Sequence, residues 1–223
     1  MHGTVSGAGR HGAAAVHVVS RDPVLASSIA AGLDALGWSD VRPHPCSTIA
    51  RELVVGSSHL VLVTDEDGHL PDASLNVLGR GRTGVGVLGS RLAARTLLAA
   101  ARRGAWVVDG DLPLLHQLRA LDRHLSGRSP RGVDAHAVAL LHALVLDLER
   151  VESLTRRERE VLARLVEGMP AAEIARSLVL SLTTVRSHIR AILTKLGTTS
   201  QLAAVATLLR VGSGSAAPDL PQN

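Results

Sequence analysis

Residues Leu154 to Val205 read LTRREREVLARLVEGMPAAEIARSLVLSLTTVRSHIRAILTKLGTTSQLAAV, and the organisation of the chain follows from this stretch. Thr155 and Glu158 form a Thr-x-x-Glu capping box. Apolar Val161, Leu162, Leu165 and Val166 then recur at helical spacing up to Gly168, which predicts one helix of about three turns. A short second helix is expected over about Ala171 to Leu178. The tight Val179-Leu180-Ser181 connection follows, and Ser181 can cap a third helix running to Lys195. Two short helices joined by a tight turn make a helix-turn-helix.

In the third helix Val185, Ile189, Ile192, Leu193 and Leu196 define a buried stripe. Arg186, Ser187, Arg190 and Thr194 are left on or beside the free face. That face is basic and rich in donors. Arginine donates to phosphate oxygens or bidentately to guanine, and a serine hydroxyl reads a base edge without adding charge. Ser200 can cap a fourth helix from Gln201 to Arg210, ended by Gly212, whose Leu202, Val205, Ala206 and Leu209 form an apolar stripe suited to core, dimer contact or both.

LTRREREVL, the Glu173-Ile174-Ala175 triplet, Ser181, TVRSH at Thr184 to His188 and KLG at Lys195 to Gly197 together resemble the LuxR-type helix-turn-helix. The match spans some fifty residues of the chain. The resemblance implies a dimeric DNA-binding domain that switches transcription, with its recognition helix in the major groove of double-stranded DNA. It puts base and phosphate contacts on Arg186, Ser187 and Arg190, Thr184 near the backbone, Lys195 close to a phosphate, and the dimer contact on the last helix at Leu202, Val205, Ala206 and Leu209. The sequence departs from the family pattern at Pro170 and Ala171, where a capping Ser or Thr followed by Asn is usual, so the second helix loses its capping side chain. Gln201 and Thr198 also stand where arginine and valine are common.

The chain has 223 residues, 46% of them hydrophobic, enough for two modest cores. Nine Lys and Arg face five Asp and Glu between residues 151 and 212, so the net charge of +4 sits wholly in this part, as a nucleic-acid footprint requires. The single cysteine, Cys46, excludes an internal disulfide and reads as an inert buried thiol. No run of about 18 apolar residues and no basic-then-apolar leader appear, so neither membrane insertion nor secretion is indicated, and a cytoplasmic setting is expected.

Residues 1–15 are rich in Gly, Ala and His and are expected to be disordered. Their GxGxxG at Gly7 to Gly12 precedes the first strand rather than following one, so it is chance composition rather than a dinucleotide loop. From Val16, short apolar runs alternate with helical segments. VHVVS leads to a helix near Pro23 to Leu36, a weak strand around Val41, a helix near Thr48 to Val55 and HLVLVT. A poorly defined segment around Ala73 to Leu78 follows, then GVGVL at Gly84 to Leu88, a helix near Leu92 to Arg103, AWVV at Ala105 to Val108 and a helix near Leu114 to Leu125. This predicts an α/β domain over 16–126, with a flavodoxin-like five-stranded parallel sheet covered on both faces. It is similar to the receiver domain of NarL/FixJ-type response regulators.

A receiver needs two adjacent carboxylates after the first strand for Mg²⁺, an aspartate after the third and a lysine after the fifth. Here Ser20 and Arg21 stand at the acidic pair, with Asp22 one place late. Thr64 stands at the acceptor, with Asp65 one place late, and an unbroken strand would turn Asp65 to the wrong side. The only lysine of the chain is Lys195, in the other domain, and Asp109 and Asp111 lie where the receiver's lysine is expected. Ser20, Arg21, Thr64 and Asp65 thus define a degenerate phosphorylation pocket, and the domain resembles an atypical receiver controlled without aspartyl phosphorylation. Its input is then a small-molecule or protein ligand, or abundance. Asp65, Glu66, Asp67 and Asp72 fit no calcium loop, and the histidines no metal spacing, so neither metal nor cofactor is expected. Trp38 and Trp106 read as packing residues.

Residues 127–152 form a linker and connecting helix, with Val133, Ala137, Leu140, Leu141, Leu144 and Leu148 on one face. That face docks within the chain or forms a dimer seam. Residues 153–212 form the all-α four-helix helix-turn-helix domain, and 213–223 a disordered tail. The function expected is a homodimeric, sequence-specific transcriptional regulator. A protein-interaction module that has lost DNA affinity is the alternative, motivated by Pro170, Ala171 and Gln201. An enzyme ranks last, because no placed glycine loop, metal cluster or nucleophile–base pair is present.

Overall fold

The computed structural model describes residues 14–45, 59–70, 84–129 and 134–212. The expected helix near Thr48 to Val55, the segment around Ala73 to Leu78, Cys46, Val133, the GxGxxG motif and the tail lie outside these residues. The chain divides into two units after Leu141, and each is described by itself.

In the first unit, strands β1 (Val16–Ser20), β2 (Val41–Pro45), β3 (His59–Val63), β4 (Val85–Gly89) and β5 (Trp106–Asp109) form one parallel sheet in the order β2-β1-β3-β4-β5. This is the flavodoxin-like order expected from the alternation of strands and helices. β2 lies at the edge and carries Pro43 and Pro45, tolerable there because an edge strand has a side that needs no ladder donor.

Period-two alternation sorts the strand residues between two cores. Val16 and Val18 of β1 pack with Val61 and Val63 against α1 (Pro23–Ala35) and α3 (Leu114–Leu125), through Ile29, Leu33, Leu118 and Leu121. Val19, Leu60, Leu62 and Val87 face the other side, where Leu97 and Ala100 of α2 (Ala94–Arg102) meet them. Trp38 is buried and donates its indole N–H to Asp122 at 3.1 Å, while Trp106 stacks on His124 with ring centroids 4.8 Å apart. The segment expected as one helix from Leu92 opens with a 3-10 turn over Arg91–Ala93, capped by Ser90.

Asp22, the carboxylate one place late for a metal pair, is the N-cap of α1. It accepts from the Val24 and Leu25 N–H groups at 2.8 and 3.2 Å. With Pro23 behind it, the start of α1 is specified by sequence alone.

The helix α4 (Ala135–Glu152) leads into the second unit. Leu140, expected on its packed face, is 59% exposed, and Val145 is buried instead. Ala137, Leu141, Leu144 and Leu148 of the expected face are half-buried, so Leu140 alone of its described residues is turned out. Four further helices follow: α5 (Arg156–Val166), α6 (Ala171–Ser177), α7 (Leu182–Leu196) and α8 (Gln201–Gly212). Their core joins Leu154, Val161, Leu162, Ile174, Val185, Ile189, Ile192, Leu196 and Ala204. No single described helix is long and apolar enough to cross a membrane. The pair α7 and α8 passes that test only when joined, and it bends by 58° at its break.

Candidate nucleic-acid interface

α7 is set at both ends by its own sequence. The Ser181 hydroxyl accepts from the Thr184 N–H at 3.0 Å and lies 2.7 Å from the Thr184 hydroxyl, so Thr184 is held to the cap. Gly197 closes the other end in the left-handed conformation, φ 64°, which a side chain would resist. Between them Val185, Ile189, Ile192 and Leu196 are buried, whereas Arg186, Ser187 and Arg190 are exposed. Leu193, the remaining residue of the expected apolar stripe, is half-buried, and Thr194 is exposed.

Neither the Arg186 nor the Arg190 guanidinium makes a hydrogen bond or ion pair among the described residues, and α7 carries no carboxylate to neutralise them. Several other arginines of this unit are paired with carboxylates. Arg156 and Arg157 both hold Glu160, Arg164 holds Glu167, and Arg210 of α8 reaches Asp147 of α4 at 2.8 Å. The guanidiniums of Arg186 and Arg190 therefore place positive charge along the outer face of α7, open to an anion.

Lys195, expected close to a phosphate, spends its ammonium within the fold. Its Nζ donates to Glu158 Oε2 at 2.7 Å and to the Ser153 carbonyl at 3.3 Å. Glu158 is buried and also accepts the Thr155 N–H at 2.7 Å, while the Thr155 hydroxyl accepts from the Glu158 N–H. Burial opposes ionisation of Glu158, but Lys195 and the Thr155 contacts outweigh it and hold the carboxyl below its ordinary range. The C-terminal turn of α7 is thereby tied to the N-terminus of α5. A capping box read as local thus serves a tertiary role, which only contact between residues 37 apart could reveal.

α6 forms without a side-chain cap, as Pro170 implied, and the Pro170 carbonyl accepts from Glu173 and Ile174. On α8 the stripe named in sequence faces out. Leu202 is 80% and Leu209 52% exposed, Val205 and Ala206 are half-buried, and Ala204, Thr207 and Val211 take the inner side. Val179, in the turn before α7, was not singled out by sequence. It has φ 55° and is 91% exposed. A β-branched residue at the position after a helix end, where glycine is usual, was the available signal.

In the first unit the four pocket residues converge at the carboxyl ends of β1 and β3. Ser20 is buried and its hydroxyl accepts from the Asp22 N–H at 3.1 Å. β3 ends at Val63, so strand alternation no longer governs Asp65, and the carboxylate swings onto Arg21 at 3.0 Å. Asp65 also accepts the His69 N–H at 2.7 Å. Its partial burial works against ionisation, yet the His69 and Arg21 hydrogen bonds prevail and hold its pKa down. Across the site Asp111 accepts from the backbone N–H and guanidinium of Arg91 at 3.0 and 2.8 Å, and Asp109 accepts from the Asp111 N–H. Buried Thr64 stands at the rim of a cleft of about 180 Å³ shared with Ser90, Gly110 and Gln117. Among the described residues no group of three or more metal-ligating side chains comes together.

A parallel-sheet unit followed by a helix-turn-helix with an open basic face defines a two-part regulatory protein. The family model for bacterial regulatory proteins of the luxR family matches residues 152–208. The spore germination protein GerE of Bacillus subtilis is 48% identical over 59 residues, 26% of this chain and 80% of GerE. The chain belongs to the luxR family of bacterial regulatory proteins, as its motifs implied. Among solved structures it is similar to the response regulator ChrA of a heme-sensing two-component system (22% identity, 87% of this chain and 96% of that one, TM-score 0.40). It is also similar to the RcsB response regulator of Salmonella typhimurium (20%, 88% and 98%, 0.43) and to full-length FixJ of B. japonicum (17%, 90% and 98%, 0.38).

Proposed function

We propose that the chain is a sequence-specific, dimeric DNA-binding transcriptional regulator whose α/β unit exerts control without aspartyl phosphate. The carrying observation is the outer face of α7, where Arg186, Ser187 and Arg190 are exposed and neither guanidinium has a partner among the described residues. A helix of this length, capped at its head and buried on its other side, fits the major groove and presents donors suited to base edges and phosphates. In this reading residues 16–126 receive the signal, 127–152 connect, and 153–212 read DNA. The outward stripe Leu202, Val205, Ala206 and Leu209 supplies the homodimer contact, since an exposed apolar row on a helix is stabilised by a second copy.

Control without phosphorylation is supported by the Arg21–Asp65 pair. A guanidinium takes the place that a divalent cation would need and engages the carboxylate that would otherwise be nearest to accepting phosphate. A small ligand or protein partner at the cleft beside Thr64 is the input that fits, its rim being Asp65 and Glu66 rather than uncommitted cations.

The test is binding of the full-length protein to random duplex DNA as a function of salt. A reader loses affinity steeply as salt rises, with a slope of about one per phosphate contact. A protein-interaction module, the reading favoured by the uncapped start of α6, shows almost no binding even at low salt.

A further inference from the structure

Val179 sits in the turn between α6 and α7 with φ 55° and, among the described residues, is the one non-glycine in the left-handed region. Its branched Cβ makes that conformation costly. Burial offers no compensation, because the residue is 91% exposed. The turn itself is closed by backbone bonds that other residues would also supply, from the Val179 N–H to the Arg176 carbonyl and from the Leu180 N–H to the Ala175 carbonyl. A residue that is strained, apolar and exposed at once gains nothing inside the fold, which points to a role outside it.

Its position indicates what that is. Val179 lies two residues before the Ser181 cap, at the end of α7 that a recognition helix presents to the groove first. Leu182, 36% exposed, and exposed Thr183 belong to the same helix end, and Arg186 follows one turn later. From Ile174 to Leu196 the chain carries no carboxylate, so this apolar edge is continuous with a surface suited to a polyanion.

We infer that Val179, together with Leu182, makes an apolar contact with duplex DNA at the edge of the groove that α7 enters, against thymine 5-methyl groups or deoxyribose. The 5-methyl is the apolar feature of the major-groove edge, and valine can read it without a hydrogen bond. The inference rests on the DNA-reader proposal and adds to the polar contacts of Arg186, Ser187 and Arg190 a residue that acts by shape.

Duplexes selected by the full-length protein from a random pool supply the probe. Affinity at one fixed salt concentration is compared for wild type, Val179→Gly and Val179→Asn, with thermal midpoints as the control for folding. Both variants accept the left-handed conformation more readily, so their midpoints are expected to equal or exceed wild type. Their affinity is expected to fall roughly three- to tenfold for the loss of one or two buried methyl groups, with an unchanged salt slope.

Deoxyuridine placed at each thymine in turn removes the 5-methyl alone. A loss of wild-type affinity at one or two positions, absent in the variants, identifies the methyl as the contact. Insensitivity at every thymine, with weakening of the variants on all sequences alike, identifies deoxyribose. Wild-type affinity in both folded variants overturns the inference, as does a marked fall in both midpoints, which would make Val179 a structural residue. If the wild-type protein retains no duplex at all, the DNA-reader proposal fails and this inference with it.

Discussion

Arg186 and Arg190 carry their charge on a helix without a single acidic residue, and that separates them from Arg156, Arg157 and Arg164 of α5, which are neutralised within one turn by Glu160 or Glu167. Exposed pairs of the latter kind contribute little, about 0.2–1 kcal/mol each. The unneutralised arginines cost the fold nothing when removed. Arg186→Ala and Arg190→Ala are therefore expected to leave the thermal midpoint unchanged while weakening DNA binding by about 1–3 kcal/mol if a base contact is lost, or lowering the salt slope by about one if a phosphate contact is lost. Ser187→Ala should change sequence preference more than affinity. Titrations of selected duplexes at one salt concentration check all three, and wild-type binding throughout would remove α7 as the recognition helix. Glu158 obeys the opposite logic. Its carboxyl is held below its ordinary range in the fold, so the stability it contributes is present above the unfolded value of about 4.5 and is lost as pH falls through the lower folded value. Glu158→Gln should cost about 1–3 kcal/mol at neutral pH and flatten the acid limb of the stability curve, as chemical denaturation at a series of pH values would show.

At the scale of elements, α8 divides its apolar residues between two jobs. Ala204, Thr207 and Val211 close the core of the helical unit, and Leu202, Val205, Ala206 and Leu209 are left facing outward. Thr207 sits inside because its hydroxyl donates to the Ala203 carbonyl at 3.0 Å and needs no water. α8 is further fixed by Arg210, which reaches Asp147 on α4. A charge on the outer row should consequently separate association from folding. With the proposed dimer contact on this row, Val205→Glu would place two carboxylates against each other across a two-fold seam, an unpaired burial costing several kcal/mol. The expected result is a monomer by sedimentation, a shorter footprint on DNA and a far-ultraviolet spectrum like that of wild type. An unchanged footprint and mass would move the dimer contact off α8, most naturally to the apolar residues of α4.

At the scale of the whole molecule, the α/β unit is proposed to receive a signal that is not an aspartyl phosphate. Phosphoryl transfer to a carboxylate needs a cation to offset the repulsion of two anions. Here Arg21 is engaged with Asp65, Asp111 with Arg91, and the sole lysine with Glu158 in the other unit. A phosphate on Asp65 would have to break its bonds to Arg21 and His69 and would gain no lysine in exchange, so it would not favour one state over another. Incubation with acetyl phosphate and Mg²⁺ is expected to leave the intact mass and the DNA affinity unchanged. A stoichiometric, acid-labile adduct that alters affinity would restore conventional receiver control.

The sequence by itself determined those features that depend on near neighbours in the chain. These are the capping box at Thr155, the cap at Ser181, the period of α7 that separates Val185 and Ile189 from Arg186 and Arg190, and the alternation of apolar runs with helices that specified a parallel sheet. It also puts Ser20 and Arg21 after the first strand and leaves the α/β unit without a lysine, because identity at a position needs no coordinates. Tertiary structure decided the rest. It ended β3 at Val63 and so let Asp65 turn to Arg21, where unbroken alternation would have pointed it away. It drew Lys195 inward to a carboxylate 37 residues distant, buried Val145 rather than Leu140, and set Val179 in a conformation its own side chain disfavours. Each of these depends on where a strand stops or on which distant surface a helix meets, and those energies are summed over the packed core rather than over a local window of sequence.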